Sequence, residues 1–355
     1  MSSNENQTCA FEFYEDEYLD NSLNEKIKAN DFYSSIIGAE EFQRLKKISF
    51  LGAIDYVNPK NKSTRYQHSI DVAKLALYIC EQRCYTREIT DHVVSAALLH
   101  DIGHAPLSHS MESSFFDSYG IDHHIASSQV VKDGTDSRSI TKILKKNVDI
   151  SIVLNLIEQK SEEHFSDVFN SKMNVDTIDG IHKSLAFVNI KDSYDKYSVA
   201  KAAFIESENK TTSKLDYFWS KKDFIYKTLI TSGIGAVADH ISKDYFYDNL
   251  KRLDESFFLK KESSLLGGRN PIFKDFSKKI NSVKCLDKTI NDSVNFLKVK
   301  VIEREYKIKP FVCIHDFNNL NEFIHERYEV EKLERVKNIG YVFLDDESSQ
   351  YSFFG

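Results

Sequence analysis

Apolar positions along this chain recur mostly at helical spacing. Leu23, Ile27 and Phe32, then Phe42, Leu45, Ile48 and Leu51, predict helices between Ser22 and Gly52, with Gly52 as a stop. His68, Val72, Leu75/Ala76 and Ile79 share one stripe of a helix that begins near Arg65. Ile89, Val93 and Ala96/Ala97 form the stripe of a helix over 87–101, and His100 is its next member. Further helices are expected over 104–118, from Asp122-His123-His124 through Val131, over Ile140–Lys146 and over Ile150–Lys160, with a break at Asp133-Gly134-Thr135. Phe165, Phe169, Met173 and Asp176 space as one helical face that would turn Asp176 inward, and Lys214–Phe246 reads as one long helical region.

Period-two alternation is scarcer. Phe11-Glu12-Phe13-Tyr14 predicts a short strand behind a loose tail of residues 1–10. Phe296–Pro310, with Leu297, Val299 and Val301 on one face, and Ile339–Leu344, closed by Asp345-Asp346, predict two more. Val57–Ser63 and Gly267–Pro271 read as loops. The expected fold is mainly α: an N-terminal segment over 1–35, a helical domain over 36–248, and a small C-terminal α+β region over 249–355.

Composition narrows the function class. The chain has 355 residues, 41% of them apolar and 12% aromatic, enough for a globular core. Four prolines and twelve glycines fit a helix-rich fold. A net charge of −7 without a long Lys/Arg run disfavours binding to duplex nucleic acid. The five cysteines, Cys9, Cys80, Cys84, Cys285 and Cys313, form no disulfide framework, and Cys80-x3-Cys84 lacks the second pair a zinc site needs. With no signal peptide and no apolar run of membrane length, the expectation is a soluble cytoplasmic protein with no membrane partner.

The candidate chemistry begins at Leu98-Leu99-His100-Asp101-Ile102-Gly103-His104. An imidazole and a carboxylate that face an apolar interior are costly unless paired, and a cation pairs with both. His68, His100, Asp101 and Asp176 each lead or end an apolar helical face. Together they make a set of two nitrogens and two carboxylates whose charge a divalent ion cancels. Asp179, three residues on, shares the face of Asp176, so spacing admits either. Mixed ligation of this kind suits an ion with open positions, Mn, Fe, Ni, Co, Mg or Zn, rather than a closed structural zinc. Seven of the twelve histidines (His68, His92, His100, His104, His109, His123 and His124) fall in this one part of the chain. His109 and Glu112 stand at i, i+3, the spacing of an oriented imidazole–carboxylate pair.

His68, then His100-Asp101, then Asp176 in Asn174-Val175-Asp176-Thr177-Ile178-Asp179 resemble the H…HD…D signature of the HD-domain phosphohydrolase superfamily. Phe42-Gln43-Arg44-Leu45, Arg65-Tyr66-Gln67-His68-Ser69 and the run from His100 through His109 resemble its deoxynucleoside triphosphate triphosphohydrolase branch. The resemblance covers residues 40–190. It implies an HD helical bundle, with His68, His100, Asp101 and Asp176 as ligands of a divalent metal. It makes His104, His109 and His123 the group around the reacting phosphate. Arg65 is placed as a phosphate clamp, one turn before His68, and Lys221 and Tyr226 fall where the family has further phosphate contacts. The implied partners are a nucleotide substrate, an allosteric nucleotide and further copies of the chain in a homo-oligomer.

The substrate walls depart from the family. Phe50 stands for a sugar-reading Gln, Gly180 for a Tyr on which the sugar packs, Lys183-Ser184 for an Arg-Asp pair, and Thr231-Ser232 for a His-Lys pair. The expected reaction is metal-dependent hydrolysis of a deoxynucleoside triphosphate to deoxynucleoside and triphosphate. Its rivals are a phosphodiesterase acting on a cyclic or oligonucleotide substrate and a non-catalytic nucleotide-sensing HD module.

Overall fold

A computed structural model describes residues 5–133, 139–190, 195–206, 209–286 and 295–344. Its first helices are α1 (Glu5–Ala29), α2 (Asp31–Gly38), α3 (Glu40–Arg44), α4 (Arg65–Gln82), α5 (Arg87–Leu99), α6 (His109–Tyr119) and α7 (His123–Lys132). They are followed by α8 (Ile140–Leu144), α9 (Ile150–Ile157), α10 (Asp167–Asn170), α11 (Val175–Phe187), α12 (Lys196–Phe204), α13 (Asn209–Ile225) and α14 (Gly233–Asp248). Three short helices, α15 (Ser263–Leu266), α16 (Phe276–Asn281) and α17 (Leu320–Arg327), accompany the strands β1 (Val283–Leu286), β2 (Asn295–Ile308) and β3 (Tyr328–Phe343). The fold is mainly α with one small antiparallel sheet in the order β1-β3-β2.

Side-chain caps set where the site-bearing helices start. Thr64 Oγ1 accepts from Gln67 N–H and opens α4, so that His68 falls one turn inside it. Asp122 caps α7 through Ile125 N–H, and Asn174 caps α11 through Thr177 N–H. Each such cap is worth about 1 kcal/mol. The Asn174 cap also leaves Asp176 in the first turn of α11, where the helix dipole favours a carboxylate.

Two apolar cores result. In the first, α4 and α5 lie against each other through Leu75, Ala76, Ile79, Val93, Ala96 and Ala97, all fully buried. In the second, Phe115 packs edge-on against Phe246 and Phe258, and the sheet contributes Val283, Leu297 and Ile339.

Several expectations need correction. The stretch Phe11–Tyr14 lies inside α1 and is no strand. The helix expected over 104–118 begins only at His109, because Pro106 precedes two residues in the left-handed region, Leu107 at φ 60° and Ser108 at φ 46°. The face drawn through Phe165, Phe169, Met173 and Asp176 is not one helix: α10 ends at Asn170, and the Asn174 cap starts α11 afresh. The long region from Lys214 breaks at Ser232, whose hydroxyl caps α14. In the C-terminal part, β3 begins at Tyr328, well before the expected Ile339, since its charged outer half carries no apolar alternation. Asp345-Asp346 and Gly134-Thr135 lie outside the described residues.

Candidate metal centre

The four ligand candidates come from α4, the turn that ends α5, and α11, and they converge. His68 Nε2 is 3.0 Å from Asp176 Oδ1, 3.3 Å from His100 Nε2 and 3.7 Å from Asp101 Oδ2. His100 Nε2 is 3.6 Å from Asp101 Oδ2 and 3.8 Å from Asp176 Oδ1. Ligands at about 2.1 Å from one ion stand about 3.0 to 3.5 Å apart, for octahedral or tetrahedral arrangements. The spacing therefore suits one cation.

The outer hydrogen bonds make the same demand. His68 Nδ1 is 2.7 Å from Asp179 Oδ2, and His100 Nδ1 is 2.8 Å from the Ala97 carbonyl. Both acceptors call for N–H at Nδ1, which turns two bare Nε2 lone pairs and two carboxylates toward one point. Such a set is mutually repulsive unless a proton or a cation lies between. Burial pulls the His68 imidazole down, but Asp176 and Asp179 outweigh it and raise it to about 9. His68, His100 and Asp101 can place ligand atoms within 4.8 Å of one another. Asp176 completes the group from the cavity side.

Asp179 is not a fourth ligand candidate on equal terms with Asp176. It is fully buried behind His68, with Lys183 3.6 Å and Lys196 3.5 Å away. These lysines also reach Asp71, at 2.6 and 3.6 Å, and Lys74 and Lys196 tie the cluster to Asp20 of α1. Asp179 thus takes its countercharge from lysines and orients His68.

The second group lies beside the first. Glu112 Oε1 is 2.5 Å from His123 Nδ1, and Oε2 is 2.9 Å from His109 Nδ1, so one carboxylate orients two imidazoles. Burial would raise Glu112, yet the two imidazoles hold it well below the usual carboxylate range. His104 stacks on His123 with centroids 4.6 Å apart and planes 12° from parallel, and meets His109 edge-on at 4.7 Å. Burial and the Arg65 charge push His104 well below the usual imidazole range. Neutral His104 donates from Nε2 to Asp101 Oδ1 at 2.9 Å, which leaves its buried Nδ1 unpartnered among the described residues.

Gly103 joins the two groups. A Cβ there would fall 2.3 Å from the His123 carbonyl oxygen and 2.4 Å from Ser127 N, so only glycine lets α7 sit on this turn. Arg44 holds the same turn from behind, donating to the carbonyls of Ile102 at 2.7 Å and His104 at 2.8 Å. Glu262, from the C-terminal part, accepts from Leu107 N–H and from both the backbone N–H and the hydroxyl of Ser49.

Both groups open on one cavity of about 420 Å³ between the two cores. Arg65 lines it, but two of its nitrogens are spent inside, on Asp101 Oδ2 at 2.8 Å and Ser108 Oγ at 3.1 Å. Tyr226 lines it, its hydroxyl accepting from Arg304 at 3.1 Å. Lys221 does not reach the lining; its neighbour Lys222 does. The phase of α13 explains the correction: Leu215, Phe218, Trp219, Lys222 and Ile225 share the buried face, and Lys221 is one residue off it. Burial pushes the Lys222 ammonium down to about 8. Asp239 of α14 also lines the cavity, and no periodic or motif signal marked it.

Residues 65–194 match the family model of the HD domain. Over that stretch the chain is similar to the HD domain. The chain is 33% identical over 137 residues to an uncharacterised protein of Methanocaldococcus jannaschii, covering 37% of this chain and 29% of that one. Over 94 residues it is 35% identical to a deoxynucleoside triphosphate triphosphohydrolase SAMHD1 homologue of Dictyostelium discoideum, covering 24% of this chain and 18% of that one. The matches span less than half the length of these curated relatives. The fold extends further than the sequence match. A crystal structure of a hypothetical protein from Aquifex aeolicus aligns with TM-score 0.61 at 18% identity over 88% of this chain and 92% of that one. A phosphohydrolase from Bacteroides thetaiotaomicron aligns with TM-score 0.57 at 14% identity over 75% and 84%. Among the described residues, no helix is long and apolar enough to cross a membrane.

Proposed function

We propose that this HD-domain chain is a metal-dependent phosphohydrolase acting on nucleotides, and that it releases triphosphate and a deoxynucleoside from deoxynucleoside triphosphates. The observation that carries the reading is the adjacency of the two groups: four ligand atoms spaced for one cation, and a carboxylate-oriented pair of imidazoles opening on the same cavity. A divalent cation bound by His68, His100, Asp101 and Asp176 supplies Lewis acidity toward a phosphoryl oxygen and toward water. The chain's own residues do the rest. Lys222 and Tyr226 bind phosphate oxygens, and Arg65 keeps Asp101 ionised and fixed. Glu112 holds Nδ1 of His109 and His123, so each ring presents Nε2 to the cavity. His109, with a side chain 65% exposed, can then protonate a departing oxygen. The SAMHD1 relatives support the choice of nucleotide.

A phosphodiesterase reading has one observation in its favour. Gly180 places no side chain on the wall beside Phe50, whose Cζ, at 3.7 Å, is the one atom among the described residues within 4 Å of where a Cβ would be, so a bulkier ester could enter. A panel of nucleoside triphosphates, cyclic nucleotides and dinucleotides, incubated with the metal-loaded chain and resolved by product, tests both. Triphosphate release supports the first reading. Monophosphate release from the diesters alone replaces it with the second, and no turnover of any member rejects both.

A further inference from the structure

The backbone at Leu107 and Ser108 lies in the left-handed region, at φ 60° and 46°. A leucine and a serine stay there only where their surroundings hold them. Much of what holds them comes from residues 253–262, beyond the stretch that matches the HD domain. That segment follows α6 from its end to its start. The Tyr119 hydroxyl donates to the Leu253 carbonyl at 2.9 Å, and Phe258 meets Phe115 edge-on at 5.1 Å. The Lys260 carbonyl accepts from Arg44 at 3.3 Å, and Glu262 N–H donates to the Lys47 carbonyl at 3.1 Å.

The Glu262 side chain then turns in among the site's turns and is buried there. Its Oε1 accepts from Ser49 N–H at 2.5 Å and from Leu107 N–H at 3.1 Å. Its Oε2 accepts from the Tyr56 hydroxyl at 2.6 Å, the Ser49 hydroxyl at 2.7 Å and Lys62 Nζ at 3.2 Å. A buried carboxylate is costly unless its lone pairs are met, and these are met from three directions. The Leu107 carbonyl is closed on from the other side. A Cβ on Gly52, which opens the 52–56 turn, would fall 2.3 Å from that oxygen.

Two paths leave the clamped turn. Ser108 Oγ donates to the Ser49 carbonyl at 2.5 Å and accepts from Arg65 Nε at 3.1 Å, while Arg65 Nη1 donates to Asp101 at 2.8 Å. The next residue, His109, opens α6 and carries Glu112 in its first turn. Asp101 of the first group and the start of the second are therefore both fixed from Leu107-Ser108. Glu262 itself does not line the cavity. We propose that Glu262 is a positioning residue of the hydrolytic site, which sets the two groups in register by clamping the 107–108 turn. The proposal rests on the hydrolase reading above, and it gives the C-terminal part a role in the reaction.

The test uses the full chain. With metal saturating and well below the melting temperature, Glu262→Gln should lower kcat for a deoxynucleoside triphosphate by about tenfold or more, since small misplacements are costly. KM should stay within about threefold, because no substrate contact is lost. Ser108→Ala cuts the path to Arg65 alone. Added to Glu262→Gln, it should lower kcat by no more than about twofold further, because the two act along one route. Lys62→Met removes another partner of Glu262 and leaves the turn alone, so kcat should stay within about twofold of wild type. Glu262→Asp keeps the charge on a stem one methylene shorter. It should lower kcat at least about threefold if the glutamine variant fails to fold. A strut that serves stability alone would lower the melting temperature and leave kcat of the folded protein unchanged. That result in both Glu262 variants overturns the assignment, as does an equal loss of kcat in Lys62→Met. A second readout needs no turnover: Mn2+ titrated into the metal-stripped chain should bind at least about threefold more weakly in Glu262→Gln, less than the 10-fold or more of a direct outer-shell partner. If the wild-type protein turns over no nucleotide, the hydrolase reading falls, and the clamp is judged on that titration, where unchanged affinity overturns it.

Discussion

The two histidine groups use the same side chains and ask for different partners. In the first, the Nδ1 atoms of His68 and His100 are spent on separate fixed acceptors, so bare nitrogens and carboxylates meet and only a positive charge can reconcile them. In the second, His109 and His123 spend their Nδ1 atoms on one shared carboxylate. His104 touches both, bonded to Asp101 and stacked on His123. What separates the roles is the second bond of each ring, not the identity of the residue.

The harshest way to break the comparison is Asp101→Ala. It should abolish stoichiometric metal by elemental analysis and cut turnover by about 10³-fold or more, since a ligand cation is worth several kcal/mol to a phosphoryl transition state. It also leaves the buried Arg65 guanidinium unpaired, at a cost of about 3 kcal/mol in stability. Turnover persisting in a folded variant would refute the assignment. Glu112→Gln should act on the other group alone: metal content unchanged, turnover lower by about 10²-fold. Metal lost together with activity in that variant would merge the two groups into one.

Sequence pattern reached much of this arrangement, and its failures are physical. The helices carrying His68 and His100 were plain because α4 and α5 are central, with continuous apolar stripes and Thr64 and Thr86 at their starts. Spacing left Asp176 and Asp179 undecided, because both lie on one face of α11. Only the lysines from α11 and α12 separate them. No periodic signal placed those lysines there, since a buried ion-pair cluster has no periodic signature. Lys222 was missed by one residue in helical phase. Asp239 was missed altogether, because a lone carboxyl on an amphipathic helix looks like its solvent face until α6 and the 52–56 turn are brought over it. The loss of helix at 104–108 was hidden for another reason: strained backbone at Leu107 and Ser108 leaves no mark in a hydrophobic pattern.

A gentler probe acts one bond behind the metal. Asp179→Asn still accepts from His68 Nδ1–H but removes the charge that Lys183 and Lys196 balance. Metal affinity should fall by about 10-fold, the lower end for outer-shell partners, with the saturated turnover nearly restored by excess metal. A loss that excess metal does not restore would place Asp179 among the ligands themselves.

The smallest effect expected, and the most discriminating, concerns Lys222. It is 7% exposed, donates to the Lys172 carbonyl at 3.2 Å, and lies over the Trp219 and Tyr306 rings. Burial, helped by Arg304 and opposed by Asp176, brings its ammonium down to about 8, so the charge is present below that pH and lost above it. If it binds substrate phosphate, KM should rise as pH passes 8 while kcat stays flatter. Lys222→Arg should remove that limb, because a guanidinium stays charged throughout. Lys222→Met should give a KM that is high and level across the range. The sign on stability is the reverse. A base whose folded value lies below its unfolded value of about 10.4 weakens the fold wherever it is charged, so Lys222→Met should raise the melting temperature at pH 7 by a few degrees, with the gain shrinking as pH climbs from 8 toward 10. A residue that helps neither folding nor binding would move neither readout, and one that merely packs would lower the melting temperature in the variant. Only a lysine whose burial is offset by a bound anion gives a more stable protein that binds its substrate worse.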